Sequence, residues 1–195
     1  MARSARALWT AKLTGKPTPG ASPVPVQLAG PANFRGVILG VDPSLRGTGL
    51  AVVDLTHGVE KAQLKGSWTI KLKPKLSMHE CLGEIAKSMT QLIETHEPDC
   101  IVLEQTIYVQ NFQTAQILGA ARGAAIAPGA MRGIEIHEYA PLRIKQAVVG
   151  FGRASKVQVS GMVRQLLKIS KDLPSDESDA AAAALCHAMT YRGNS

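Results

Sequence analysis

The stretch Val37–Asp54, V-I-L-G-V-D-P-S-L-R-G-T-G-L-A-V-V-D, constrains this chain more than any other. It reads as two apolar strands joined by a tight Pro/Gly loop, and the first strand closes on an acid, Asp42. Aspartate is a poor strand residue and is costly when buried without partners. Asp42 therefore needs partners, and the rest of the chain can be searched for them. Gly47 and Gly49 are expected to act as turn residues that let the hairpin close, and Asp54 as a surface residue at a strand end.

The flanking pattern predicts strands over 37–41 and 50–55, then a third over 64–72, where Leu64, Trp68, Ile70 and Leu72 recur at even spacing. Short connections make these three an antiparallel meander. Met78, Leu82, Ile85, Met89 and Leu92 mark an amphipathic helix, opened by a Ser77/Glu80 capping box and stopped at Glu97-Pro98. A fourth strand, 100–103, again ends on an acid, Glu104. An Ala/Gly-rich helix follows over 111–127, with Ala115, Gly119 and Gly123 stacked on one face. That face suits either tight packing on the sheet or a subunit interface. A fifth strand over 134–138 precedes helices over 141–148, 156–169 (boxed by Ser155 and Gln158) and 178–191. This order is α/β, a mixed five-stranded sheet flanked by helices.

At 195 residues the chain forms one core, assigned here to 36–195. Residues 1–35 stand apart: they carry Arg3, Arg6, Lys12, Lys16 and Arg35, are rich in proline and have no acid. They read as a disordered basic extension, with a nucleic-acid-binding arm and an organelle transit peptide as the other two readings. No apolar run is long enough to span a membrane. Cys81, Cys100 and Cys186 are odd in number and lack C-x-x-C spacing, so neither a disulfide framework nor a zinc knuckle is indicated. The net charge of +7 favours a polyanionic partner.

Two further acids, Asp176 and Asp179, lie three apart in S-D-E-S-D and so project from one helix face. Taken alone they suit a helix N-terminus, worth about 0.3–1 kcal/mol each. Taken with Asp42 and Glu104 they suggest more. Unit charges about 4 Å apart repel by about 4 kcal/mol at an effective dielectric of about 20, so a carboxylate cluster needs shifted pKa values or bound cations. Oxygen donors without His or Cys suit Mg²⁺ or Mn²⁺, and two such ions would support phosphodiester hydrolysis. Between Glu138 and Asp172 no acid occurs, while Arg143, Lys145, Arg153, Lys156, Arg164, Lys168 and Lys171 are basic, as in a phosphate-binding surface. Lys156 opens its helix, the wrong end for a cation, which calls for a nearby anion: DNA phosphate or the carboxylates.

The blocks G-V-D-P-S-L-R-G-T-G, I-V-L-E-Q, L-G-A-A-R-G, H-E-Y-A-P-L-R-I-K-Q-A-V-V-G and S-D-E-S-D-A-A-A-A-A-L-C-H-A, in this order and spacing, resemble the RuvC family of Holliday-junction resolvases. The resemblance runs from Val37 to about Tyr191. It implies an RNase H-like fold and a structure-specific endonuclease that resolves four-way DNA junctions in recombination and repair. It places the catalytic and metal-binding acids on Asp42, Glu104, Asp176 and Asp179, with two Mg²⁺ ions per site and Mn²⁺ able to substitute. The family's functional lysines fall on Lys145 and Lys156, and Arg153 belongs to the same DNA-binding set.

The resemblance also implies a homodimer, branch-migration helicase partners if the source is bacterial, and a cytoplasmic, nucleoid-associated protein unless residues 1–35 direct organellar import. Two positions depart from the family pattern. Ile107 stands where an aromatic residue stacks on junction bases; Tyr108 is expected to stack instead, with Ile107 as an apolar wedge the alternative. Ser44 replaces a common glycine, which a D-P-S turn should accommodate. Two other readings are weaker. An actin-like ATPase would need a second phosphate loop that the sequence lacks, and four intact carboxylates argue against a non-catalytic junction-binding protein.

Overall fold

In the computed structural model, residues 34–105 and 111–193 are described. The expectation for residues 1–35 therefore falls, apart from Phe34 and Arg35, outside the described residues, as do Ile107 and Tyr108. Five strands form one sheet: β1 (Val37–Asp42), β2 (Gly47–Asp54), β3 (Gln63–Lys71), β4 (Cys100–Glu104) and β5 (Glu135–Tyr139), in the order β3-β2-β1-β4-β5. The meander β1-β2-β3 is antiparallel, and β4 and β5 add to β1 in parallel. The mixed sheet flanked by helices is the architecture expected from the order of elements.

Helices cover both faces: α1 (Met78–His96) and α2 (Phe112–Ala130) on one, α3 (Pro141–Val149), α4 (Lys156–Leu166) and α5 (Ser175–Thr190) on the other. The central strand β1 therefore buries side chains on both sides. Ile38 faces the α5 core, while Leu39 and Val41 face the α1/α2 core. Both expected capping boxes form. Ser77 accepts from the Glu80 N–H and Ser155 from the Gln158 N–H, with each partner side chain reaching back.

α5 lies deepest. Ala180 to Ala184 are at most 1% exposed, because side chains of this size let the helix lie close on the sheet. Two strand glycines complete the fit. A Cβ at Gly40 would overlap the Ala180 carbonyl, and one at Gly49 the Asp176 carbonyl. Gly49 thus sits within β2, at a close approach of backbones, rather than in the turn where it was expected.

Three helix boundaries differ from expectation by three residues each. α5 begins at Ser175, three residues early, because the Pro174 carbonyl already accepts the Ser178 N–H at 2.8 Å. α4 ends at Leu166, and just beyond it Lys168 turns left-handed (φ 53). α2 continues through Pro128 to Ala130, its last turn laid on β4 with Gly129 against Ile101. Tight packing at Gly119 and Gly123 is not found: a Cβ at either would meet nothing within 4 Å among the described residues. The buried face of α2 is instead that of Ala121 and Ala125.

Candidate active site

β1 and β4 are parallel neighbours with Val41 opposite Leu103, so Asp42 and Glu104 end adjacent strands side by side. Alternation along each strand puts Asp42 on the face of Ile38 and Gly40, and Glu104 on that of Cys100 and Val102, which is the face covered by α5. The first turns of α5 supply Asp176 and Asp179. Asp42, Glu104 and Asp179 line one cavity of about 210 Å³ together with Lys145, Lys156 and the apolar Ile144 and Val159. Asp176 sits beside it, against Gly47 and Gly49, close enough to raise the pKa of Asp42. Arg153 is exposed on the α3–α4 connection and does not line the cavity.

Crowding of like charge shows in the protonation. Asp42 is pushed up to about 6, first by burial, then by Asp179, Glu104 and Asp176. Glu104 is also raised, by burial and by Asp179, with Lys156 and Lys145 opposing. Lys156 Nζ donates to Asp179 Oδ2 at 2.8 Å and lies 3.5 Å from Ser175 Oγ. This bond, followed by the charge of Asp179, raises the lysine's pKa. The anion that offsets Lys156 at its helix N-terminus is thus a carboxylate of the cluster. Elsewhere in the basic run, Arg164 pairs with Asp172 at 3.4 Å and Lys168 donates to the Glu60 carbonyl at 2.9 Å.

Two residues shape the site without having been singled out in the sequence, Arg122 and Glu177, and a third, Ser44, fits its turn as expected. Arg122, inside L-G-A-A-R-G, donates to the Glu104 carbonyl at 2.8 Å and pairs with Glu138, fixing the end of β4. Glu177 accepts from Ser67 at 2.6 Å and Thr69 at 2.9 Å, which docks the first turn of α5 on β3. Ser44 earns its place in the loop after Asp42: its hydroxyl accepts the Gly47 N–H at 3.0 Å, and its own N–H donates to Thr48 Oγ1 at 3.2 Å. Arg122 and Glu177 are polar residues inside motif blocks, where sequence alone gives no sign of partners so distant in the chain.

The donor set fits a hard divalent cation. It comprises carboxylate oxygens only, buried and crowded enough to push Asp42 up to about 6, with lysines at the rim. The sequence departures at Ile107 and Tyr108 fall outside the described residues, so the base-contacting role expected there stays a matter of sequence.

Comparison with known proteins agrees with this geometry. The family model described as "Crossover junction endodeoxyribonuclease RuvC" matches residues 38–187. A protein of that name from Halorhodospira halophila is 44% identical over 151 residues, covering 77% of this chain and 89% of the relative. Another from Cupriavidus metallidurans is 41% identical over 151 residues, covering 77% and 82%. The solved structure of T. thermophilus RuvC in complex with Holliday junction substrate superimposes with a TM-score of 0.75 at 31% identity, covering 80% of this chain and 94% of that one. By sequence, by its RNase H-like fold and by the order of its motif blocks, the chain belongs to the RuvC family of crossover junction endodeoxyribonucleases.

Proposed function

We propose that this chain is a Holliday-junction resolvase, an endonuclease that cuts four-way DNA junctions by metal-dependent phosphodiester hydrolysis. The observation that carries the reading is the convergence of Asp42, Glu104 and Asp179 with Lys145 and Lys156 on one cavity, in a member of this family. Asp42, Glu104, Asp176 and Asp179 would hold two Mg²⁺ ions, with Mn²⁺ able to replace them. Such ions supply activation of water and charge stabilisation at the phosphorus of an in-line displacement.

The chain's own residues do the rest. Lys156, already fully charged beside Asp179, offers its ammonium to the scissile phosphate, and Lys145 flanks it from α3. Arg122 and Glu177 hold the two elements that present the acids. Ionisation of Asp42 readies the cluster for cations. Arg153 extends the basic surface toward the DNA arms, and Tyr108, or Ile107 as a wedge, contacts junction bases.

The protein acts as a homodimer that nicks two strands of like polarity and leaves ligatable ends. The open Gly119/Gly123 face of α2 supports a second copy there. If bacterial, it works with branch-migration helicases, in the cytoplasm at the nucleoid. The residues before Phe34 form a basic extension outside the nuclease domain, to which Phe34 and Arg35 belong together with 36–195. Among the described residues no helix is long and apolar enough to cross a membrane.

Purified protein given a mobile four-way junction and Mg²⁺ is expected to yield paired, symmetric nicks. Binding without cleavage in either Mg²⁺ or Mn²⁺ would overturn the assignment. Gly119→Leu, which meets nothing within the protomer, is expected to shift the dimer toward monomer by sedimentation; an unchanged mass would remove this face from the interface.

A further inference from the structure

The sheet face that carries the carboxylates also carries a second group of ligating side chains, toward the other end of α5. Cys100 opens β4, His137 lies at the middle of β5 and His187 sits in the last turn of α5. One ligating atom from each lies within 4.8 Å of the other two. Cys100 is 2% exposed and His187 0%. The His187 Nδ1 is 2.9 Å from the Tyr139 hydroxyl, while its buried Nε2 has no hydrogen-bond partner among the described residues.

An unpartnered ring nitrogen in a core costs about 1–3 kcal/mol, and an apolar residue would fill the same space without that cost. The imidazoles of His137 and His187 stack at 4.3 Å between centroids, and Phe34 meets His187 edge-on at 4.9 Å. The surroundings are therefore rigid and largely dry, with access past the partly exposed His137.

We propose that Cys100, His137 and His187 form a site for a thiophilic divalent cation of the zinc class, separate from the carboxylate centre. One thiolate and two imidazoles are the donors such an ion prefers, at the ligand count that leaves a fourth position open. Hard Mg²⁺ has no reason to enter it. Tyr139 selects the tautomer: with the Nδ1 proton donated to its hydroxyl oxygen, the unpartnered Nε2 keeps a lone pair free for an ion. Glu135, its carboxylate 3.2 Å from His137 Nε2, orients the second imidazole or takes the fourth position.

Without the ion, burial pushes the Cys100 thiol up to about 12, and Asp99 and Glu135 add to this. Uptake of the ion converts the thiol to a metal-bound thiolate and releases one proton to solvent. The bound ion ties β4, β5 and the end of α5 together, away from the acids. No sequence motif announces such a site, because its ligands are 37 and 50 residues apart along the chain.

Cobalt titration tests this on the purified full chain, with Mg²⁺ in excess to occupy the carboxylates. One equivalent of Co²⁺ is expected to give a thiolate-to-cobalt charge-transfer band with the strong visible absorption of a four-coordinate ion, and Zn²⁺ to displace it. The band should vanish in Cys100→Ser and persist in Cys186→Ser, whose thiol lies outside the cluster. His137→Phe, which keeps a ring in the stack, should weaken Co²⁺ binding at least about tenfold and abolish the Zn²⁺-dependent rise in Tm. A wild-type protein without the thiolate band, or a band that survives Cys100→Ser, overturns the proposal. So does His137→Phe binding Co²⁺ as tightly as wild type. Persistence of the band in Glu104→Gln is expected, and its loss there would assign the ion to the carboxylate centre.

Discussion

The two ends of α5 solve the same problem in opposite ways. Asp176 and Asp179 at its start lie about 17 and about 12 Å along the axis from His187 at its end, and both ends bury ionisable groups against the same sheet face. Desolvation disfavours whichever form is charged. It therefore pushes Asp42 up to about 6 and His187 down to about 4, with His137 adding to the latter. Near neutral pH His187 is therefore uncharged, with an unpartnered Nε2, whereas the acid end crowds like charges that raise Asp42 and Glu104. Burial of neutral imidazoles leaves donors suited to a soft cation, and burial of crowded carboxylates leaves donors suited to a hard one.

The largest break in this comparison comes from removing one acid. Asp42→Asn is expected to lower single-turnover cleavage of a four-way junction by on the order of 10³-fold or more, at least about 4 kcal/mol of transition-state stabilisation. Cleavage within tenfold of wild type would mean that the cluster is not the reaction centre.

The same variant also sharpens the comparison through pH, in protein free of divalent ions. Asp42 binds its proton more tightly folded than unfolded, so its contribution turns unfavourable as pH rises from about 4 to 6. His187 binds its proton less tightly folded, so the stability it contributes is present above about 6.5 and lost as pH falls toward 4. Each is worth about 3 kcal/mol over its window, and the two oppose. Urea unfolding of wild type should therefore vary little between pH 4 and 6. Asp42→Asn should climb with pH through that range and end about 3 kcal/mol more stable than wild type at pH 8. Parallel profiles would show that Asp42 is not strained in the fold.

A smaller effect, about 2 kcal/mol of destabilisation, is expected for Gly49→Ala, because the added Cβ meets the Asp176 carbonyl. The shift moves the acid end of α5 and should reduce cleavage as well as stability, while leaving the Cys100 thiol buried and slow to alkylate. Smallest is Ser44→Ala, which deprives the Gly47 N–H of its acceptor and should cost about 1 kcal/mol by chemical denaturation.

Much of the fold was legible in the sequence because its cues are local. Period-2 alternation and apolar runs located the strands, and Ser77/Glu80 and Ser155/Gln158 marked two helix starts that form as read. Boundaries failed where a tertiary contact overrode the local cue. α2 runs past Pro128 because its last turn packs on Ile101, and α5 starts before Ser178 because its first turn is held on β3 by Glu177. Gly119 and Gly123 drew attention as packing surfaces, yet the protomer packs through Ala121 and Ala125.

The sequence by itself determined the candidates for chemistry: an acid closing each of two apolar strands, a pair of acids on one helical turn, and a lysine at the wrong end of its helix. Residue type and near-neighbour spacing encode these. Only the tertiary structure decided who meets whom. The parallel pairing of β1 with β4 brings Asp42 beside Glu104, and Gly40 and Gly49 let α5 come close enough to add Asp179. The same pairing of β4 with β5 gathers Cys100, His137 and His187. Such meetings depend on strand order and backbone approach, properties of the whole sheet that no local stretch of sequence contains.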